Sequence, residues 1–387
     1  MIKAYNQFKG RSGWMAKSPQ YIWQRPDWTN FTWGSKEILN LLGKCRLVQG
    51  KLLGKVIDLG LTLDAQAHAE VLAEETIKTS AIEGEKLDIS SVRSSVARKL
   101  GLPSAGLPVD RHVDGIVAVI LDATMNHAEP LTSERLFGWH AGLFPTGYSG
   151  MHKIKVGSWR GDQPMRVVSG PVGKEKVHFL APPAERIEGE MSQFLSWWDS
   201  SRGSMEGLIR AAIGHFWFVT IHPFEDGNGR IARALTDMAL AQDDSQQYRY
   251  YSLSSQIMEE RESYYDILEA CQKGGSDITR WLVWFLECFS RAIDRSELIL
   301  SGVIRKANFW RMHAQASLNE RQCKVINKLL DAGPDGFEGG LTTRKYASMA
   351  KVSKPTAFRE INRLLELGII SQNPGKGRSV SYGLIWP

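Results

Sequence analysis

The nine residues HPFEDGNGR, from His222 to Arg230, constrain this chain more than any other segment. They follow a long stretch of helical periodicity, and a second helical stretch begins directly after them. Gly227 and Gly229 let the backbone bend close to a ligand, since glycine has no Cβ. The helix that follows would direct its free N–H groups at an anion. The segment therefore predicts a phosphate-binding turn between two helices.

The polar residues of this segment suit phosphoryl or nucleotidyl transfer. Asp226 offers a hard oxygen ligand for Mg²⁺, and Arg230 and Arg233 offer guanidinium groups to phosphate oxygens. His222 is the one group in the segment that can take a proton near neutral pH. Catalysis of this transfer depends mainly on positioning and charge stabilisation, which such a set of residues supplies.

Two other interpretations of the segment are a calcium loop and a structural turn. DGNG begins like an EF-hand loop, but Arg230 stands where that loop needs a ligand. No glutamate closes a loop of twelve residues either. We therefore expect a phosphate-binding site here.

The longer segment HPFEDGNGRIAR resembles the complete active-site pattern of the Fic family, with a His, a Phe, an acidic residue, GNGR and a second Arg at fixed spacing. The resemblance implies a mainly α Fic core that transfers AMP from ATP to a Ser, Thr or Tyr hydroxyl of a target protein. It implies His222 as the general base, Phe224 as the anchor of the loop and Asp226 as the Mg²⁺ ligand. ATP contacts are implied for Asp226, Gly227, Asn228, Gly229, Arg230 and Arg233.

A β-hairpin is predicted between Lys155 and Leu180, where strand-forming residues surround glycine-rich turns. In the Fic family this hairpin would be a flap that registers the target segment by strand addition. The resemblance places four of its residues beside the nucleotide. They are Val167, Val168, Ser169 and Gly170. An ordinary surface hairpin is the alternative.

The adenine contacts implied by the resemblance are Tyr264, Tyr265 and Gln272. Gln272 departs from the family pattern, in which an Asn stands at this place, but it keeps the side-chain amide. By spacing alone, a Tyr pair on a helix is more typical of core packing.

The segment from Thr79 to Gly84, TSAIEG, resembles the inhibitory motif of regulated Fic proteins. On a helix of about residues 65–84, Thr79 and Glu83 share a face. The resemblance implies that Glu83 pairs with Arg233 and thereby removes a phosphate contact, so that the resting activity is low and no separate antitoxin is required. The alternative is an exposed glutamate at a helix end.

Basic charge is concentrated at the C-terminal end, with 14 Lys and Arg against 6 Asp and Glu from residue 301 onward. Two short helices and a glycine-tipped hairpin predict a winged helix, which would bind either DNA or a protein. Lys351, Lys354, Arg359 and Arg363 are predicted on its second helix. Lys376 and Arg378 are predicted at the tip of the wing.

The bulk properties are those of a globular protein, with 43% hydrophobic and 23% charged residues. No apolar run reaches the roughly 20 residues of a membrane span, and the first residues lack the core of a signal peptide. Four scattered cysteines form no paired motif. We expect a cytoplasmic protein that does not contact a membrane, with a cap region at 1–110, the Fic core at 111–305 and the winged helix at 306–387.

Other functions remain open at this level. One alternative is a DNA-binding regulator in which the Fic core serves as a nucleotide sensor, although a sensor has no need of His222. Another is a Fic enzyme that uses a different donor, carrying UMP, phosphocholine or phosphate, or one that removes AMP. Auto-modification is a further expectation, and the Trp-rich surfaces are compatible with a homodimer as well as with core packing.

Overall fold

Helices make up most of the chain. The computed structural model describes residues 2–5, 19–57, 61–103, 110–170, 174–244, 249–333, 337–374 and 380–386. The predicted mainly α class with a small hairpin is confirmed. Among these residues no helix is both long and apolar enough to cross a membrane.

Fourteen α-helices lie in the described residues, and the connection between α5 and α6 holds four strands. In chain order they are α1 (Ser35–Ile57), α2 (Leu61–Ile82), α3 (Ile89–Lys99), α4 (Arg111–Met125), α5 (Ser133–Leu143), α6 (Ala184–Ser200), α7 (Gly207–Ile221), α8 (Asn228–Asp244), α9 (Leu253–Glu259), α10 (Arg261–Gln272), α11 (Thr279–Met312), α12 (Glu320–Ala332), α13 (Thr343–Ala350) and α14 (Lys354–Glu366). A short 3₁₀ helix spans Ile22–Gln24.

The strands form small antiparallel sheets. They are β1 (Ile2–Tyr5), β2 (Tyr148–Ser149), β3 (His152–Lys153), β4 (Arg166–Ser169), β5 (Lys176–Leu180), β6 (Ile370–Gln372) and β7 (Tyr382–Leu384). The predicted hairpin is β4 with β5, and β1 pairs along the other edge of β4, with Ile2 opposite Ser169 and Tyr5 opposite Arg166. The strand β2 pairs with β3, and β6 pairs with β7.

The chain divides into two units. The first comprises residues 1–58 and 68–296, and the second comprises residues 59–67 and 297–387. The predicted boundary between residues 305 and 306 falls inside the continuous helix α11.

The centre of the first unit is α7, which is mostly apolar and is buried around its whole circumference. Every residue from Leu208 to Ile221 is buried. A helix without a polar face lies inside a protein, since no side of it gains from contact with water. It packs against α8, and the predicted phosphate-binding turn joins the two.

The second unit has a hydrophobic core of its own, formed by α12, α13, α14 and the pair β6–β7 around residues such as Phe309, Val325 and Tyr346. Side-chain caps start its helices, because Asn319 caps α12 and Thr342 caps α13. Lys351 does not lie on the second helix of the predicted pair, because it ends α13 in the left-handed region with φ 54°. Lys376 and Arg378 lie outside the described residues.

Candidate active site

One cavity of about 1390 Å³ gathers most of the predicted site residues. Its wall includes Glu83, Val167, Ser169, His222, Asp226, Gly227, Asn228, Gly229, Arg230, Tyr264, Tyr265 and Gln272. Val168, Gly170 and Arg233 are absent from this wall. A cavity of this size accommodates a nucleotide, since sites for small molecules commonly enclose about 300–1,000 Å³.

His222 occupies the turn that ends α7. Its backbone is left-handed, with φ 53° and ψ 58°, and its N–H donates to the carbonyl of Phe218 at 3.0 Å. Residues other than glycine rarely adopt this conformation, and such strain is concentrated at functional sites. The turn directs the imidazole to the cavity wall.

The imidazole of His222 is arranged to accept a proton. Its Nδ1 lies 3.1 Å from the carbonyl oxygen of Val219, which fixes the proton on Nδ1 and leaves the lone pair on Nε2. Burial lowers the pKa of His222 to about 4. The ring is therefore neutral at pH 7, as a general base must be.

Arg160 holds the backbone of this turn, a role that the sequence analysis missed. Its Nε donates to the carbonyl of His222 at 2.9 Å, and its backbone N–H donates to the carbonyl of Pro223 at 2.9 Å. Burial lowers the pKa of Arg160 to about 10, which leaves it charged at pH 7. No local pattern identifies this residue, because it precedes the turn by 62 positions.

His140 supports the same turn from α5 and was also missed. Its ring stacks on Phe224, with centroids 4.2 Å apart and planes at 12°. Its Nδ1 accepts from the N–H of Gly157 at 3.2 Å, so its Nε2 donates to the carbonyl of Asp226 at 3.1 Å. Burial lowers the pKa of His140 to about 4. Phe224 is fully buried beneath it.

The glycines and Asn228 shape the start of α8. The amide of Asn228 accepts from the N–H of Phe224 at 2.9 Å and donates to its carbonyl at 2.8 Å, so this side chain closes the turn. Gly227 has φ 82°, and a Cβ there would lie 2.9 Å from the ring of Phe144. A Cβ on Gly229 would collide with the carboxylate of Glu83. The carboxylate of Glu83 therefore lies against the start of α8, where the first N–H groups of a helix attract an anion.

Asp226 presents a carboxylate suited to Mg²⁺. Its Oδ1 accepts from the N–H of Gly227 at 2.5 Å, and its Oδ2 accepts from the hydroxyl of Ser149. One carboxylate fits Mg²⁺ that is bound largely through phosphates and water, which is the usual mode for this ion in nucleotide sites.

The two arginines of the motif are buried, and each has one N–H group without a hydrogen-bond partner in the described part of the chain. Arg233 donates through Nε to the hydroxyl of Thr79 at 2.7 Å and through Nη2 to Glu83 Oε1 at 2.9 Å. The Nη1 atom of Arg233 and the Nε atom of Arg230 lack a hydrogen-bond partner among the described residues. A buried donor without an acceptor is unfavourable by about 1–3 kcal/mol. Both atoms could therefore donate a hydrogen bond to an anion.

The three residues predicted to contact adenine make different contacts within the protein. Tyr264 is buried, and its hydroxyl lies 2.8 Å from Nε2 of His215. Tyr265 packs its ring against the guanidinium of Arg261 at 5.1 Å. Gln272 donates to the hydroxyl of Thr220 at 3.2 Å. Tyr264 is thus buried in the core and also lines the cavity.

The hairpin presents alternate residues to the cavity. Val167 and Ser169 line it, whereas Val168 is buried on the opposite face. Gly170 follows with φ 103°, and the hairpin tip at residues 171–173 lies outside the described residues. Ser169 also lies 2.5 Å from His178 on β5, and His178 lies 2.5 Å from Glu269 on α10. This polar chain, which joins the hairpin to α10, was not predicted from the sequence.

Parts of the chain are similar to known proteins. Residues 130–240 match the model of the Fic/DOC family, and residues 21–102 match a domain of unknown function, DUF4172. A protein adenylyltransferase Fic of Nematostella vectensis is 26% identical over 234 residues, 59% of this chain and 49% of that protein. A uridine 5′-monophosphate transferase of Xanthomonas campestris is 31% identical over 120 residues, 29% of this chain and 21% of that protein. The chain thus spans about half, or less, of the length of these relatives.

The fold also has a counterpart among solved structures. A Fic family protein from Desulfovibrio desulfuricans G20 superposes with a TM-score of 0.51 at 19% identity, covering 90% of this chain and 96% of that one. At this identity the likeness concerns the fold alone.

Proposed function

We propose that this chain, whose residues 130–240 match the Fic/DOC family model and which is similar to protein adenylyltransferases, transfers AMP from ATP to a Ser, Thr or Tyr hydroxyl of a target protein. The observation that carries the proposal is one cavity that unites a neutral His222, the carboxylate of Asp226 and Arg230. These are a base, a metal ligand and a phosphate ligand. The reaction needs all three.

In the proposed reaction, Nε2 of His222 takes the proton of the target hydroxyl. The hydroxyl oxygen then attacks the α-phosphorus of ATP, the bond from that phosphorus to the bridging oxygen breaks, and pyrophosphate leaves. The N–H groups at the start of α8 and the guanidinium of Arg230 would stabilise the charge on the phosphates. Mg²⁺ held by Asp226 would neutralise part of the same charge.

Adenine is the proposed base because Tyr265 and Gln272 offer an aromatic ring and an amide on the cavity wall. An amide both donates and accepts hydrogen bonds, so it also suits uracil. Transfer of UMP is therefore the competing donor reaction, and one relative bears that activity in its name. Competition between labelled ATP and unlabelled UTP separates the two donors.

The target segment is proposed to bind the β4–β5 hairpin by strand addition. The outer edge of β4 is paired with Ile2–Tyr5 in this structure. A target strand must therefore displace β1 to use that edge, or add to the outer edge of β5.

We further propose that Glu83 restrains the enzyme through Arg233. Its carboxylate lies 2.9 Å from Nη2 of Arg233, a guanidinium with 2% exposure. A charge pair this close is stabilising, and phosphate must compete with it. We expect Glu83→Gly to raise the rate of AMP transfer roughly tenfold or more. A tenfold increase corresponds to a transition state that is more stable by about 1.4 kcal/mol. Transfer is measured with ATP labelled at the α-phosphate.

Two controls make this experiment specific. Glu83→Gln removes the charge but keeps the length of the side chain and the helix end, so it should also raise transfer. ATP labelled at the γ-phosphate should leave no label on protein. If MgATP binds but neither variant transfers α-label to any protein, the chain is not an adenylyltransferase. Label from the γ-phosphate would instead establish phosphoryl transfer.

The pH dependence of transfer follows from His222. A general base must be unprotonated, and burial lowers the pKa of His222 to about 4. Transfer is therefore lost only as the pH falls through about 4, and it should be flat between about pH 5.5 and 8. A solvated histidine would give an acid limb near pH 6.5. Initial rates of the Glu83→Gly variant at saturating MgATP measure this, and a limb near 6.5 would contradict the assignment.

For the second unit, three helices followed by the pair β6–β7 support the proposal of a winged helix. Lys354 and Arg359 are exposed on α14 and would be available to phosphates. DNA and protein remain the two proposed partners, and fluorescence anisotropy with a labelled duplex would distinguish them.

A further inference from the structure

A second carboxylate faces the other arginine of the motif. Glu83 pairs with Arg233, and two residues later Glu85 Oε2 lies 3.6 Å from Nη1 of Arg230. Arg230 is 7% exposed, so this contact is screened less than a surface ion pair. The end of α2 thus provides one carboxylate for each of the two arginines.

The turn at the end of α2 fixes the position of Glu85. The N–H of Gly84 donates to the carbonyl of Ala81 at 2.9 Å, and the N–H of Glu85 donates to the carbonyl of Ser80 at 3.1 Å. Gly84 has φ 83°, the left-handed conformation that such a helix end requires. Glu85 therefore leaves the helix in a defined direction.

The ring of His112 on α4 lies on the other side of the carboxylate of Glu85. Its Nε2 lies 2.5 Å from Glu85 Oε1. Burial acts to raise the pKa of Glu85, but His112 and Arg230 together keep it below its usual range. Glu85 is thus ionised at neutral pH and is held beside Arg230.

The other groups around Arg230 would allow a phosphate to compete with Glu85 for its guanidinium. Its guanidinium lies over the ring of Phe144 at 4.8 Å, and its Nε has no hydrogen-bond partner among the described residues. A phosphate that enters the cavity and the carboxylate of Glu85 would use the same guanidinium. The negative charges of the phosphate and of the Glu85 carboxylate would repel each other if both lay against the guanidinium of Arg230.

We propose that Glu85 is a second internal competitor of the nucleotide's phosphate tail, acting on Arg230 as Glu83 acts on Arg233. The proposal rests on the nucleotide site proposed above. Removal of Glu83 alone leaves this second restraint in place, so the Glu83→Gly variant still binds MgATP less tightly than the site allows. Release of both carboxylates gives the full affinity.

The test measures binding, by isothermal titration calorimetry, of MgATP and of AMP to three variants of the full chain. They are Glu83→Gly, the double variant Glu83→Gly with Glu85→Gln, and a control that combines Glu83→Gly with Glu262→Gln. Glu262 lines the same cavity and forms no ion pair with either arginine of the motif. Its replacement removes the same charge without freeing Arg230.

The double variant with Glu85→Gln is expected to bind MgATP about fivefold more tightly than Glu83→Gly, whereas the Glu262→Gln control changes by less than about twofold. AMP lacks the phosphate tail, so its affinity should be the same in all three variants. Unchanged or weaker MgATP binding on Glu85→Gln would overturn the proposal. An equal change for AMP and MgATP would also overturn it, since it would indicate a structural effect.

The binding test of Glu85 and the transfer test of the proposed function can fail independently of each other. If Glu83→Gly transfers no α-label although the double variant gains affinity for MgATP alone, the adenylyltransferase proposal fails and the role of Glu85 stands. If α-label is transferred but Glu85→Gln leaves the affinity for MgATP unchanged, the role of Glu85 fails and the enzyme assignment stands.

Discussion

Replacing His222 by alanine in the Glu83→Gly background is expected to lower AMP transfer by about 10²–10⁴-fold. The loss follows from the geometry of the imidazole, whose Nδ1 is held by the carbonyl of Val219 at 3.1 Å and whose Nε2 is left to accept the hydroxyl proton. No other histidine belongs to the phosphate-binding turn. Initial rates with α-labelled ATP measure the effect.

A matched control separates the base from a general effect of removing an imidazole. His152 lines the same cavity but lies on β3, outside the motif. His152→Ala should change the rate by less than about threefold, and the affinity for MgATP should stay within about twofold in both variants. If His222→Ala retains more than about a tenth of the rate, another group removes the proton and the assignment of His222 is wrong.

Replacing Phe224 by alanine is expected to reduce the free energy of unfolding by about 3–5 kcal/mol. The side chain is fully buried. It stacks on His140 at 4.2 Å and lies 5.1 Å from the ring of Trp159, so truncation leaves a cavity beneath the turn that joins α7 to α8. Urea unfolding followed by tryptophan fluorescence measures the change.

Phe358 supplies the control for this second experiment, because it is a phenylalanine with 52% of its surface exposed. Phe358→Ala should change the free energy of unfolding by less than about 1 kcal/mol. A Phe224→Ala variant as stable as the parent would show that the ring does not anchor the turn. Its function would then have to be sought in contacts with the nucleotide.

Under the proposals above, the contacts at the end of α2 limit access to the donor site. Thr79 and Glu83 both bind Arg233, and Arg261 donates to the carbonyl of Ile82 at 2.7 Å, which ties the helix end to α10. A signal that moves this helix end would free Arg233. Under the further proposal it would free Arg230 at the same time.

The sequence predicted the chemistry of the turn because that chemistry is local. His222, Asp226, Gly227 and Arg230 lie within nine residues, and the two glycines restrict which backbone the segment can adopt. The same holds for the helix that carries Thr79 and Glu83 four residues apart. Regular periodicity also identified α13 and α14, although Lys351 was wrongly placed on the second of them.

What holds the turn in place was decided by contacts between distant parts of the chain. Arg160 reaches His222 across 62 positions, and His140 reaches Asp226 across 86. No local pattern encodes such pairs, because they depend on which helices pack together. The burial that lowers the pKa of His222 is likewise a property of the packed core.

The sequence by itself thus determined the mainly α fold class and gave the prediction of the reactive groups, since both depend on spacing along one turn or one helix face. The tertiary structure alone decided which polar atoms stay free for a ligand. Within the part of the chain that the structure describes, it left Nε of Arg230 and Nη1 of Arg233 without a hydrogen-bond partner, and it placed Glu85 beside Arg230. Whether a charged group is satisfied depends on every element that packs around it, and that information is absent from any local stretch of sequence.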